Sequence, residues 1–175
     1  EGTLTICMVP FMAELLSKEF LGFFMKTFPK INLVYKALNP KDLEDCCDAD
    51  LMLYIHPPKD QTMIVRRIMT FSRRFYASPE YLRQHGTPEH PSALSQHNCL
   101  RFDTKVHPVD EWLYHDNHTL QSVTVNGTFT SDSINLTKDF AVQGQGICWL
   151  PQFFANQDVR DGNLVCLFDG KYSIE

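Results

Sequence analysis

The residues best suited to chemistry are few and scattered. Cys46 and Cys47 are adjacent, His115-Asp116-Asn117-His118 gathers two imidazoles and a carboxylate, and Asp42, Glu44, Asp45, Asp48 and Asp50 crowd one short stretch. Adjacent cysteines are poorly spaced for chelating one ion, although either thiol could form a redox pair with another. The histidine run lies in a polar stretch with no further ligand set, so neither a metal nor a cofactor is expected. The acidic cluster reads as the solvated edge of a helix. No G-x-S-x-G, Walker A or HExxH pattern occurs, and no catalytic constellation is evident, so the chain does not read as an enzyme. Arg66, Arg67, Arg73 and Arg74 are spread over two apolar stretches and read as solvated strand faces. With a net charge of -5, the chain lacks the clustered cations that nucleic acid binding needs.

What must position any site is an ordinary globular composition: 175 residues, 43% hydrophobic and 21% charged. That length suits one moderate domain or two small lobes sharing a cleft, and it can bury a core without disulfides or metals. The six cysteines, Cys7, Cys46, Cys47, Cys99, Cys148 and Cys166, form no C-x-x-C pair. Free, buried thiols in a reducing cytosol account for them, which implies a cytoplasmic protein. No apolar run approaches the roughly 18 to 20 residues of a membrane span. Glu1 leads straight into a strand-like segment, which reads as a domain boundary without a signal peptide. The sequons at Asn117, Asn126 and Asn135 are therefore taken as chance.

Along the chain, Thr3 to Val9 reads as a buried strand and Phe11 to Phe28 as an amphipathic helix ended by Pro29. Ile31 to Ala37 is a strand, Asn39-Pro40 opens a short helix to about Cys47, and Ala49 to Ile55 is a third strand. This β-α-β-α-β order implies a mainly parallel sheet. His56-Pro57-Pro58 is a loop, and Met63 to Thr70 and Arg74 to Ala77 are strand candidates. Ser78-Pro79 starts a helix closed by Gly86, and a connector with one short helix leads to a strand at Asn98 to Phe102. Thr104 to Asn117 looks polar and irregular apart from Glu111-Trp112-Leu113. Gln121 to Val125 is a strand, Asn126-Gly127 a tight turn, and Asp132 or Ser133 caps a helix to about Gln143. Ile147 to Leu150 is a buried strand stopped by Pro151, Asp161-Gly162 a turn, and Leu164 to Phe168 a strand.

These segments, in order, resemble the effector-binding domain of LysR-type transcriptional regulators. The most specific stretch is Tyr76-Ala77-Ser78-Pro79-Glu80-Tyr81-Leu82-Arg83-Gln84-His85-Gly86-Thr87-Pro88, continuing through Pro91, Leu94, His97 and Cys99-Leu100. Trp112 follows at a plausible distance. Val123-Thr124-Val125-Asn126-Gly127 then leads to Ala141-Val142-Gln143-Gly144-Gln145-Gly146-Ile147 and Leu150-Pro151, which is similar to the family's A-x-x-G-x-G-I-x-x-L-P pattern. The resemblance covers essentially the whole chain. Leu43 through Asp50 and Leu51 also resembles the family's L…G..D segment, with Cys47 or Asp48 in place of the usual Gly. The resemblance implies an α/β fold of two Rossmann-like subdomains joined by crossover strands, like type 2 periplasmic binding proteins. Subdomain I would comprise residues 1–71, with 168–175 returning to it, and subdomain II residues 72–167. A periplasmic solute-binding protein of a transporter shares that fold and is the rival reading.

In open α/β sheets, ligands bind outside the carboxyl ends of the strands. That rule, with the resemblance, marks Pro10, Phe11, Met12, Asn39, His56, Phe102, Asp103, Asn126 and Ser131 as effector-binding candidates. Many family members hold a carboxylate with Ser or Thr where this chain has Pro10-Phe11-Met12. Pro10 has no N–H, and Phe11 and Met12 are apolar, so a larger, more apolar effector is expected. Phe11 and Met12 packing into a core or dimer interface is the alternative. His56 also reads as an exposed loop histidine, and Asn39 as a helix cap. The resemblance further implies a homodimer or homotetramer that pairs Phe20, Phe23 and Phe24 with the partner's helix carrying Ile134 and Lys138. Promoter DNA would be held only by a winged helix-turn-helix outside this chain.

Overall fold

The computed structural model describes residues 1–37, 48–54, 64–103 and 108–174. The chain divides into two compact units, Glu1–Arg67 and Ile68–Glu175.

The first unit is built on a central strand. β1 (Gly2–Met8) is flanked by β2 (Ile31–Ala37) and β3 (Leu51–Leu53), both parallel to it. A strand paired on both edges and covered by its own helices reads as a continuous apolar run, and Ile6, Cys7, Met8 and Val9 are all buried. Asp50 clasps the edge: its carboxylate accepts from the Thr5 N–H at 2.8 Å, and its own N–H donates to the Thr5 carbonyl at 3.0 Å. The single helix expected over 11–28 is three pieces. α1 (Pro10–Leu16) and α2 (Gly22–Thr27) are joined by a wide π-type turn at Ser17–Leu21. Cys46, Cys47 and the helix expected around them lie outside the described residues, as does the 56–58 loop. Residues 64–72 carry no regular secondary structure where a strand was expected.

The second unit is a five-stranded mixed sheet in the order β10-β4-β9-β5-β8. β4 (Arg73–Ala77), β5 (Asn98–Phe102), β8 (Asn126–Ser131), β9 (Ile147–Pro151) and β10 (Val165–Cys166) make it. β5 runs parallel to both β8 and β9, whereas β4 is antiparallel to β9 and β10. α3 (Pro79–His85) starts where its sequence says: the Ser78 hydroxyl accepts from the Tyr81 N–H, and Gly86 ends the helix at φ 82°. α4 (Ile134–Val142) is capped by Ser133. α5 (Gln152–Arg160) follows Pro151 directly. The Pro151 stop signal hid α5, because a proline that ends a strand is equally good just ahead of a helix.

Three local expectations change. The polar stretch before Asn117 is half of a hairpin, β6 (Glu111–Asp116) against β7 (Thr119–Thr124). Its two-residue turn is Asn117-His118, with φ of 47° and 66°, the left-handed pair that a tight hairpin requires. The His115-Asp116-Asn117-His118 run is thus a turn, and no metal-holding cluster is found among the described residues. Asn126-Gly127 is not a turn but the start of β8. Residues 168–174 pack within the second unit. Ile174 exchanges backbone hydrogen bonds with Arg73, and Tyr172 packs on Tyr114 and Phe168 in the second unit. Burial of these rings holds the stretch there, at roughly 1.5–3 kcal/mol per large apolar side chain.

The second unit's core gathers Phe75, Tyr81, Leu94, Cys99, Trp112, Val125 and Ile147. The amino end of β5 is packed backbone to backbone. A Cβ on Gly127 would lie 1.8 Å from the Cys99 carbonyl oxygen, and one on Gly146 2.4 Å from that of Asn98. The Asn98 side chain donates to the Gln145 carbonyl and accepts from the Thr128 N–H at 2.9 Å, while the Asn98 N–H donates to the Tyr81 hydroxyl at 3.0 Å. No helix among the described residues is long and apolar enough to cross a membrane.

Candidate effector-binding site

In the first unit the candidate edge is the carboxyl end of β1. Pro10, Phe11 and Met12 form the first turn of α1 there, as the sequence indicates. The geometry is poor for an anion. Pro10 has no N–H, and the N–H groups of Met12 and Ala13 both donate to the Val9 carbonyl, at 3.0 and 3.3 Å. Phe11 and Met12 are half-buried and pack on Cys7 and Val9. They line the edge as apolar walls rather than as donors. Asn39 and His56 lie outside the described residues.

In the second unit the equivalent edge is the carboxyl end of β5 and β8. Phe102 pairs with Ser131, and the Asp103 N–H donates to the Ser131 carbonyl at 2.8 Å, so these three candidates sit together. Asn126 does not join them. It pairs with Asn98 at the opposite end of the same two strands, five residues or roughly 16 Å away along the strand. As the first residue of β8 rather than a turn residue, Asn126 belongs to the amino edge.

Beside Phe102 is a narrow recess lined by Arg73, Pro108, Glu111, Trp112 and Trp149, with space for about one water-sized group. Arg73 is not the solvated strand residue its sequence suggests. Its guanidinium carbon lies 4.8 Å from the Trp149 ring centre, and burial lowers its pKa to about 10. The Trp149, Phe75 and Trp112 rings form a mutual cluster with centroids 6.0–6.4 Å apart, and the buried indole N–H of Trp149 has no hydrogen-bond partner. Arg74 is also half-buried, whereas Arg66 and Arg67 are exposed. A signal was available. Strand alternation puts Arg73 on the face of Phe75 and Ala77, but two adjacent arginines on an edge looked like a solvated pair.

Cys99 and Cys148 are poor nucleophiles. Burial pushes Cys99 up to about 12 and raises Cys148 further above the ordinary thiol range. Cys7, Cys99 and Cys148 are buried and unpaired.

The interface candidates divide. Phe20 and Phe23 are 51% and 66% exposed, with Phe24 half-buried and its ring 6.2 Å from Phe20 and 5.1 Å from Phe28. On α4 the expectation needs correction. Ile134 is 3% exposed and belongs to its own unit's interior, and Lys138 pairs with Asp158 at 2.9 Å. Leu136 is the exposed apolar residue of that helix.

The family model for the LysR substrate binding domain matches residues 1–173. The chain belongs to this family. The LysR domain is 30% identical over 118 residues to the HTH-type transcriptional regulator CrgA of Neisseria meningitidis, covering 67% of this chain and 39% of that protein. It is 27% identical over 146 residues to the HTH-type transcriptional regulator DmlR of Escherichia coli, covering 80% and 46%. Among solved structures, the full-length virulence activator AphB of Vibrio cholerae superposes with a TM-score of 0.87 at 23% identity, covering 99% of this chain and 58% of that one. The chain spans about half the length, or less, of the curated relatives it matches. The fold is thus the mixed α/β, type 2 periplasmic-binding-protein-like fold of LysR regulatory domains. Because the relatives are helix-turn-helix regulators, the regulator's domain is favoured over a transporter's solute-binding protein.

Proposed function

We propose that this LysR domain is the effector-sensing and oligomerising part of a bacterial, cytoplasmic transcriptional regulator. The family match over residues 1–173 carries this reading. The effector is a small molecule held at strand carboxyl ends. Phe102, Asp103 and Ser131 are the candidate residues on the second unit, and Pro10, Phe11 and Met12 those on the first. The role is binding, not catalysis, and no cofactor is invoked. Effector binding biases an equilibrium between two arrangements of the regulator, which requires different affinity for the two. Promoter DNA is bound through a helix-turn-helix outside residues 1–175.

The oligomer is a homodimer or homotetramer formed through the exposed Phe20 and Phe23 surface and the α4 surface around Leu136. The test is promoter binding by the full-length regulator, followed by fluorescence anisotropy with its own upstream DNA. The expected result is sequence-specific binding whose strength or footprint changes with a small molecule. A full-length protein without affinity for that DNA overturns the regulator reading.

A further inference from the structure

The recess at the carboxyl end of β5 combines two groups that a ligand would complete. The Arg73 guanidinium is stacked on Trp149 and half-buried, and no carboxylate among the described residues pairs with it. The Trp149 indole N–H is buried and unpartnered. Buried cations are normally paired and buried donors normally bonded. Both groups line one small recess beside Phe102, one of the edge residues to which the proposed function assigns the effector.

The geometry points to Arg73 and Trp149 as the anchor for one carboxylate oxygen of the effector, with the rest of the molecule lying outside the recess against Phe102 and Pro108. An anion there offsets the Arg73 charge and accepts the indole N–H, and hydrogen bonds to charged groups are the stronger kind. The size fits, since about one oxygen-sized group enters. Glu111 also lines the recess, and its negative charge disfavours a second anionic group nearby. The effector class is therefore a monocarboxylate with an apolar body. The first unit's helix start, where Pro10 has no N–H and Val9 takes the Met12 and Ala13 donors, is less suited to seat the anion. This inference rests on the effector-binding reading of the domain.

The test follows the indole N–H signals of the isotope-labelled 175-residue chain, which has two tryptophans. Trp149→Phe, which keeps a ring and removes the N–H, assigns the Trp149 signal. The probes are matched pairs, acetate with acetamide and benzoate with benzamide. The expected result is that a carboxylate shifts the Trp149 signal saturably while its amide does not. Arg73→Gln should then weaken binding by at least about tenfold, and Trp149→Phe should weaken it as well. Failure of both carboxylates to move the signal at millimolar concentration, or equal shifts from acid and amide, overturns the anchor without relying on any variant's folding. If a carboxylate binds here but the full-length protein has no affinity for its promoter DNA, the anchor stands and the regulator reading fails. If small molecules alter promoter occupancy while the Trp149 signal stays fixed, the regulator reading stands and the anchor fails.

Discussion

At Gly127 the chain tolerates no side chain at all. The carbonyl of Cys99 occupies the place where a Cβ would sit, 1.8 Å away, and that oxygen belongs to a strand backbone that cannot swing aside. Gly127→Ala should therefore destabilise the second unit by about 3 kcal/mol or more, at the severe end for single substitutions. Urea unfolding followed by circular dichroism measures it, and an unchanged midpoint would contradict the packing described. The sequence offered Asn-Gly as a turn dipeptide, a sound local reading that tertiary pairing with β5 overrides. Arg73 teaches the same point. Its type argues for solvent, but its place at the head of a buried strand beside Trp149 decides otherwise.

Between elements, the junction of α3 with β5 depends on the protonation of His97. The Tyr81 hydroxyl accepts from the Asn98 N–H and lies 3.3 Å from His97 Nδ1, to which it donates when that nitrogen is unprotonated. That arrangement needs His97 neutral. Burial, then the nearby His85, holds its pKa below the ordinary 6.5. With the folded value lowered, the unfolded chain binds the proton more readily, so this contribution is present above about pH 6.5 and is lost as pH falls below it. The thermal midpoint should drop between about pH 7 and about pH 5, and His97→Gln should flatten that drop. Equal slopes for both proteins would remove His97 from the account. At this scale most elements were legible. Caps at Ser78, Gly86 and Ser133 and the apolar runs of β1, β5 and β9 give unambiguous local signals. The β6–β7 hairpin and α5 were not. β7 has one buried residue, and α5 just one, Ala155, so neither carries a clear periodicity.

For the whole molecule, the exposed aromatics of the first unit's helical face set the expectation for assembly. Burial of one such anchor at an interface contributes about 2 kcal/mol or more when it is a hot spot. Phe23→Glu should weaken self-association by more than about tenfold, read by sedimentation velocity, while circular dichroism stays that of the parent. A monomeric parent protein would rule out Phe23 as an interface anchor. The order of segments made the fold and family legible from sequence. The site was legible only in part, because an edge is defined by which strand ends align, and register is not written in any single segment. The same register has a mechanical result. β5 is fastened at its Asn98 end by three hydrogen-bonding neighbours, Tyr81, Thr128 and Gln145, and by the close approach of Gly127 and Gly146, so it cannot slide when something presses on Phe102. Displacement there has to spread sideways into β8, whose last residue, Ser131, takes the Ser133 N–H at 3.0 Å. Ser133 in turn caps α4. The ligand edge and the helix bearing Leu136 are therefore separated by two residues of chain, a linkage too short to absorb strain and well placed to transmit it.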